Sequence, residues 1–159
     1  ATTVLGAAWV GLGLAHLILV RAIDGGGEDA ILAILLTVFA ADTFAYLGGR
    51  VAGRHKMTPV TSPGKTWEGF FVGALAGVGA SFLVLYGTAY DGWRSLAVGG
   101  ALVLAGAVGD LFESLVKRDL GAKDTGTLLR GHGGMLDRID SLLFAGPVGY
   151  YVFLAVGQA

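Results

Sequence analysis

Five stretches of this chain are each long enough to cross a bilayer and contain few polar residues. A spanning helix needs roughly 20 predominantly apolar residues. Thr3–Val20, Ala30–Gly49, Gly69–Tyr90, Ser95–Val116 and Asp140–Gly157 meet that requirement. Hydrocarbon offers backbone N–H and C=O groups no partners, so such segments must satisfy themselves as helices. Composition points the same way: 54% of the residues are hydrophobic and only 14% charged, against about 25% charged in an ordinary soluble domain. Mean hydropathy is +0.69. The sequence therefore predicts an all-α, polytopic transmembrane bundle of about five spanning helices, forming one membrane-embedded unit over residues 1–159. The 28 glycines show no collagen-like period and fall mostly within apolar runs, as in helices that pack closely in membranes.

The connections divide by charge. Ala22–Asp29 and Ala89–Arg94 are short and poor in basic residues, whereas Arg50–Thr66 and Lys117–Asp137 are longer and basic. Of the eleven Lys and Arg residues, only Arg21 and Arg94 lie away from these two basic segments. Two helices separate the basic segments, so both must emerge on one side, and the positive-inside rule makes that side cytoplasmic. Trp9, Trp93, Tyr90, Tyr150 and Tyr151 suit either interfacial anchoring or ordinary lipid-facing bulk. The net charge of −1 gives no sign of a nucleic-acid partner. Absence of cysteine excludes a thiol nucleophile, a disulfide framework and a thiolate metal site.

Charge inside so apolar a chain is costly and marks a polar cavity, a pathway or a catalytic centre. Asp110, Glu113, Ser114 and Lys117 fall at i, i+3, i+4 and i+7, one face of a helix. That stripe either faces a water-filled cleft or forms an interhelical ion-pair seam. Asp42 lies roughly 12 Å deeper than Arg50 along its helix, which favours the same cleft. Asp137 and Asp140 begin the fifth segment, where they can cap the helix or share a cation with Asp110. Carboxylate oxygens are hard ligands suited to Mg²⁺. Between the acids lie Lys117, Arg118, Lys123, Asp124, Gly126 and the run Gly131, His132, Gly133, Gly134. Glycines admit an anion close to backbone amides, and cations neutralise phosphate. His132 fits a phosphate donor, a proton shuttle or a structural turn. Ser62, Lys65 and Thr66 offer hydroxyl and ammonium donors at the start of a helix, or merely cap it.

The order of these elements resembles the signature of the phosphatidate cytidylyltransferase (CDP-diacylglycerol synthase) family. Ser114, Val116, Lys117 and Arg118 match its first element; Lys123, Asp124 and Gly126 match the second. His132, Gly133, Gly134, Met135, Asp137, Arg138, Ile139 and Asp140 match the third. Arg130 departs from the Pro or Gly usual there and adds a cation. An earlier segment is also similar, with Asp42, Thr43, Ala45, Tyr46, Gly48, Gly49, Arg50, Gly53 and Arg54 leading into Pro59, Ser62, Pro63, Lys65, Thr66, Glu68 and Gly69.

The resemblance implies that CTP and phosphatidic acid give CDP-diacylglycerol and pyrophosphate. It further implies a catalytic domain normally preceded by other transmembrane helices, an active site facing the cytoplasm of a bacterial inner membrane, and a homodimer among membrane lipids. Under it Asp110, Lys117, Asp137 and Asp140 are catalytic. Asp110, Asp137 and Asp140 bind Mg²⁺, with room for a second cation. Ser62, Lys65, Thr66, Arg118, Lys123, Asp124, His132, Gly133, Gly134 and Arg138 bind substrate. Two rivals remain at this level: a CTP-dependent lipid-alcohol kinase built from the same parts, and an ion-coupled transporter. Transporters often carry midplane sites at repeats, whereas here the polar residues gather towards one face.

Overall fold

The computed structural model describes residues 2–59, 61–119, 121 and 139–157. Its elements are helix α1 (Thr2–Arg21), helix α2 (Gly27–Ala52), strand β1 (Lys56–Thr58), strand β2 (Ser62–Thr66), and helices α3 (Trp67–Leu85), α4 (Trp93–Asp119) and α5 (Asp140–Gly157). All five helices are long and apolar enough to cross a membrane, so the chain is an integral membrane protein. The expected bundle is present, with a small β-hairpin added between α2 and α3. At 26 and 27 residues, α2 and α4 each extend about 40 Å, beyond a hydrocarbon core of about 30 Å. Their surplus carries Arg50 and the Lys117–Arg118 pair.

Helix α3 lies antiparallel along α2 because its contact stripe has no side chains. A Cβ on Gly69 would stand 2.6 Å from the Ala45 carbonyl oxygen, one on Gly73 2.5 Å from that of Ala41, and one on Gly77 3.1 Å from that of Thr37. The four-residue step on both helices makes this a continuous seam. Without a hydrophobic drive between helices in lipid, such close approach is what gains dispersion energy.

Helix α4 packs on α3 and α5, and α1 on α5. Pro147 inside α5 cannot donate to the carbonyl of Leu143, four residues earlier. Glycine lets α1 cover that place: a Cβ on Gly13 would meet the Leu143 carbonyl oxygen at 2.8 Å. The core is fully buried Ile34, Leu85, Val98, Leu102, Leu143 and Phe153.

Two aromatic residues sit deeper than an interfacial anchor would. Tyr90 is buried, its ring 4.8 Å from that of Phe153; burial, and then the Asp29 carboxylate, push its hydroxyl pKa above the ordinary value. Trp9 packs edge-on against Phe112 and Phe144 at 5.1 and 6.1 Å. Trp93 and Tyr151 are exposed as anchors would be. Helix α3 ends at Leu85 rather than reaching Tyr90. Gly87 adopts φ +73°, the Thr88 hydroxyl donates to the Leu85 carbonyl, and the Gly87 amide donates to Asp91.

Among the described residues, the first basic segment and the Lys117–Arg118 start of the second meet at one end of the bundle, as the charge pattern predicts. The Arg118 guanidinium donates through Nε to the Thr61 carbonyl at 3.2 Å, tying α4 to the hairpin turn. At the opposite end Arg21 is neutralised by Glu28.

Candidate active site

A cleft of about 730 Å³ opens between α2, the hairpin, α3, α4 and the start of α5. Helical spacing builds its first wall. Asp42, Tyr46 and Arg50 recur every four residues on α2, all line the cleft, and the Arg50 guanidinium donates to the Tyr46 hydroxyl at 3.3 Å. The opposing wall carries Asp110 from α4 and Asp140 with Ser141 from α5, while Ser62, Lys65 and Thr66 enter from β2. Deeper along α2 and α4 the lining is apolar, with buried Val38, Leu102 and Val103 and exposed Phe39.

The hairpin brings distant residues together. Lys65 Nζ stands 2.7 Å from Asp110 Oδ2, an ion pair whose lysine side chain is 22% exposed. Its neighbour Thr66 also lines the cleft, with its side chain against Gly49 and Gly53 of α2. Thr66 is buried, and its hydroxyl oxygen accepts from the Gly69 amide at 3.2 Å as the N-cap of α3. A hydroxyl that accepts a capping bond still has its proton to donate, so capping and cleft contact are compatible.

The polar stripe of α4 divides. Asp110 faces the cleft. Glu113 and Ser114 are buried, and Lys117 Nζ lies 3.5 Å from Glu113 Oε2. The cleft expectation holds for Asp110, while the Glu113–Lys117 pair lies within α4 itself rather than between helices. Asp140, buried at the start of α5, accepts from the Ser141 amide at 2.7 Å. Lys123, Asp124, His132, Gly133, Gly134, Asp137 and Arg138 lie outside the described residues. Of the expected site, the structure brings together Ser62, Lys65, Thr66, Asp110 and Asp140. Lys117 and Arg118 follow on α4, the Arg118 side chain reaching the hairpin turn. Tyr46 and Arg50 had no role assigned from sequence, although their four-residue spacing from Asp42 was a usable signal.

Three carboxylates, Asp42, Asp110 and Asp140, line the cleft against the cations Lys65 and Arg50. This hard-oxygen, acid-rich donor set fits Mg²⁺. Among the described residues no three acidic or histidine side chains are gathered closely enough to form a complete metal site.

Comparisons with known proteins agree with this architecture. The chain is 41% identical over 143 residues to a phosphatidate cytidylyltransferase of Staphylococcus haemolyticus, covering 89% of this chain and 54% of that protein. It is 44% identical over 118 residues to the chloroplastic phosphatidate cytidylyltransferase 4 of Arabidopsis thaliana, covering 71% of this chain and 29% of that protein. The chain thus spans about half the length of the bacterial relative and under a third of the plant one. Its fold is also similar to that of a solved intramembrane enzyme for archaeal membrane lipid biosynthesis. There the TM-score is 0.52 at 24% identity, over 78% of this chain and 85% of the other. The profile of the cytidylyltransferase family matches residues 1–156, and the chain belongs to that family.

Proposed function

We propose that this chain is the catalytic part of a CTP:phosphatidate cytidylyltransferase, making CDP-diacylglycerol and pyrophosphate at the cytoplasmic face of the membrane. The observation that carries this reading is the Lys65–Asp110 pair, 2.7 Å apart, in a cleft that joins a polar mouth to an apolar interior. A soluble triphosphate needs the first and a diacyl lipid the second. Family membership and the names of the relatives supply the reaction class.

In the proposed reaction a phosphate oxygen of phosphatidate attacks the α-phosphorus of CTP. One P–O bond forms there as the bond to the bridging α–β oxygen breaks, and pyrophosphate leaves with that electron pair. The attacking oxygen is already anionic near neutral pH, so no dedicated general base is required. Transfer of this kind depends on positioning and charge neutralisation. Ser62, Lys65 and Thr66 hold the lipid phosphate. Lys117, Arg118, Lys123, His132 and Arg138 hold the phosphates of CTP, and Asp124, Gly133 and Gly134 complete the substrate-binding set. Asp110 and Asp140, with Asp137, would hold Mg²⁺, whose bound charge offsets that developing on the phosphates. The family resemblance suggests a homodimer, and the basic end of the bundle supports cytoplasmic placement.

The test is incubation of the detergent-solubilised protein with phosphatidate, Mg²⁺ and each of the four ribonucleoside triphosphates in turn. Pyrophosphate released with CTP alone is the expected result. With a diacylglycerol supplied in place of phosphatidate, a phosphorylated lipid with CDP as by-product would identify the kinase instead.

A further inference from the structure

Helix α2 releases the chain at Ala52, and Gly53 turns it into extended backbone. The next two amides, of Arg54 and His55, come before the first ladder pair of the hairpin, Lys56 with Thr66. Both are taken by one side chain. Glu68 accepts from Arg54 N–H at 3.1 Å and from His55 N–H at 3.2 Å. The His55 imidazole Nδ1 lies 2.5 Å from the same carboxylate. The chain also closes in the reverse direction, because Trp67 N–H donates to the His55 carbonyl at 3.0 Å. Glu68 sits in the first turn of α3, where the helix dipole favours a negative charge.

We propose that Glu68 is a positioning residue that clasps the base of the hairpin and fixes its register, so that Lys65 and no other residue reaches Asp110. This rests on the reading of the cleft as the active site. Glu68 does not line the cleft and acts through Lys65. The register argument follows from strand geometry. Lys65 reaches Asp110 while Thr66 caps α3 and packs against Gly49 and Gly53 of α2, so a slip of one residue would take Lys65 off Asp110. The ladder alone is weak protection against that slip, with strands of 3 and 5 residues and a register irregularity between Lys56 and Thr58. Two further contacts hold only the turn: Thr58 Oγ1 with the Ser62 carbonyl at 3.4 Å, and Arg118 with Thr61. At the base the Glu68 clasp adds two backbone bonds to the single one from Trp67 N–H.

Two readouts on the full chain test it. Spin labels on cysteines at Gly64, where a Cβ meets nothing within 4 Å, and at exposed Leu115 of α4 report the distance from hairpin to α4. One narrow distance distribution is expected for the parent. Glu68→Ala should broaden it, and Glu68→Gln, which keeps one acceptor oxygen, should broaden it less. His55→Ala retains both backbone bonds and should leave it nearly intact. In the transfer assay Glu68→Ala should lower turnover by about tenfold or more. On a Lys65→Ala background it should cost less than about twofold, because both substitutions remove the same contact. An unchanged distance distribution in Glu68→Ala and Glu68→Gln overturns the clasp, and so do fully additive losses. If the distance broadens while Lys65→Ala keeps full turnover, the clasp stands and the functional reading of the cleft falls.

Discussion

Gly73→Ala is the sharpest perturbation of the seam that forms one wall of the cleft. The added methyl would stand 2.5 Å from the Ala41 carbonyl oxygen and 2.7 Å from Ala45 Cβ. Ordinary C···O contacts lie at about 3.3–3.6 Å and C···C contacts at about 3.5–4.0 Å. Helix α3 must therefore retreat by roughly 1 Å, and a rigid helix takes Gly69 and Gly77 with it. Overpacking of this kind costs about 1–3 kcal/mol. Replacing a mid-helix glycine by alanine returns about 0.5–1 kcal/mol of backbone entropy, leaving a net loss centred on about 1 kcal/mol. Gly79, on the same helix, is the control: a Cβ there meets nothing within 4 Å. Gly79→Ala should keep the entropy gain and be neutral or stabilising. Equilibrium unfolding in mixed micelles measures both, and the two variants should differ by about 2 kcal/mol. A Gly73→Ala protein as stable as Gly79→Ala would refute the close-packed seam.

Asp110→Asn removes the charge opposite Lys65 while preserving side-chain size. Turnover should fall by about tenfold to a hundredfold, the loss of one charge-assisted contact, with little recovery across a Mg²⁺ titration; a variant matching the parent would remove Asp110 from the site. Cysteines at Gly64 and Asp119 should react with an impermeant thiol reagent from the cytoplasmic side, and one at Asp24 from the other. Labelling of Gly64 and Asp119 from opposite sides would separate the two basic segments.

What the sequence made legible follows from what hydrocarbon demands. A bilayer imposes length and apolarity on each span, so all five helices could be read within a few residues. Helical spacing placed Asp42 and Asp110 on a polar cleft because charge in that setting has few other destinations. The hairpin carries no comparable signature, since its strands are short, contain Pro63 and Gly64, and show no alternation of apolar residues. The clasp by Glu68 was invisible for a different reason. Its partners are backbone amides 14 and 13 residues earlier, and a backbone amide has no letter in the sequence. Tyr90 misled because an aromatic residue at the end of an apolar run reads as an anchor; here the chain turns at Gly87 and folds the ring onto Phe153. Glu113 and Lys117 shared a helix face with Asp110, but α5 covers part of that face, and sequence periodicity cannot say where a neighbouring helix begins.

The central claim is that a cytidylyl group passes from CTP to a lipid phosphate in this cleft. Parallel reactions with CTP labelled at the α- or the γ-phosphorus test it most directly. Phosphatidate and Mg²⁺ are supplied in both, and the Lys65→Ala protein is run beside the parent. Transfer of the α label to the lipid fraction, with the γ label recovered in pyrophosphate and both strongly reduced in Lys65→Ala, is the predicted result. Appearance of the γ label in lipid, or full α transfer by Lys65→Ala, would contradict it.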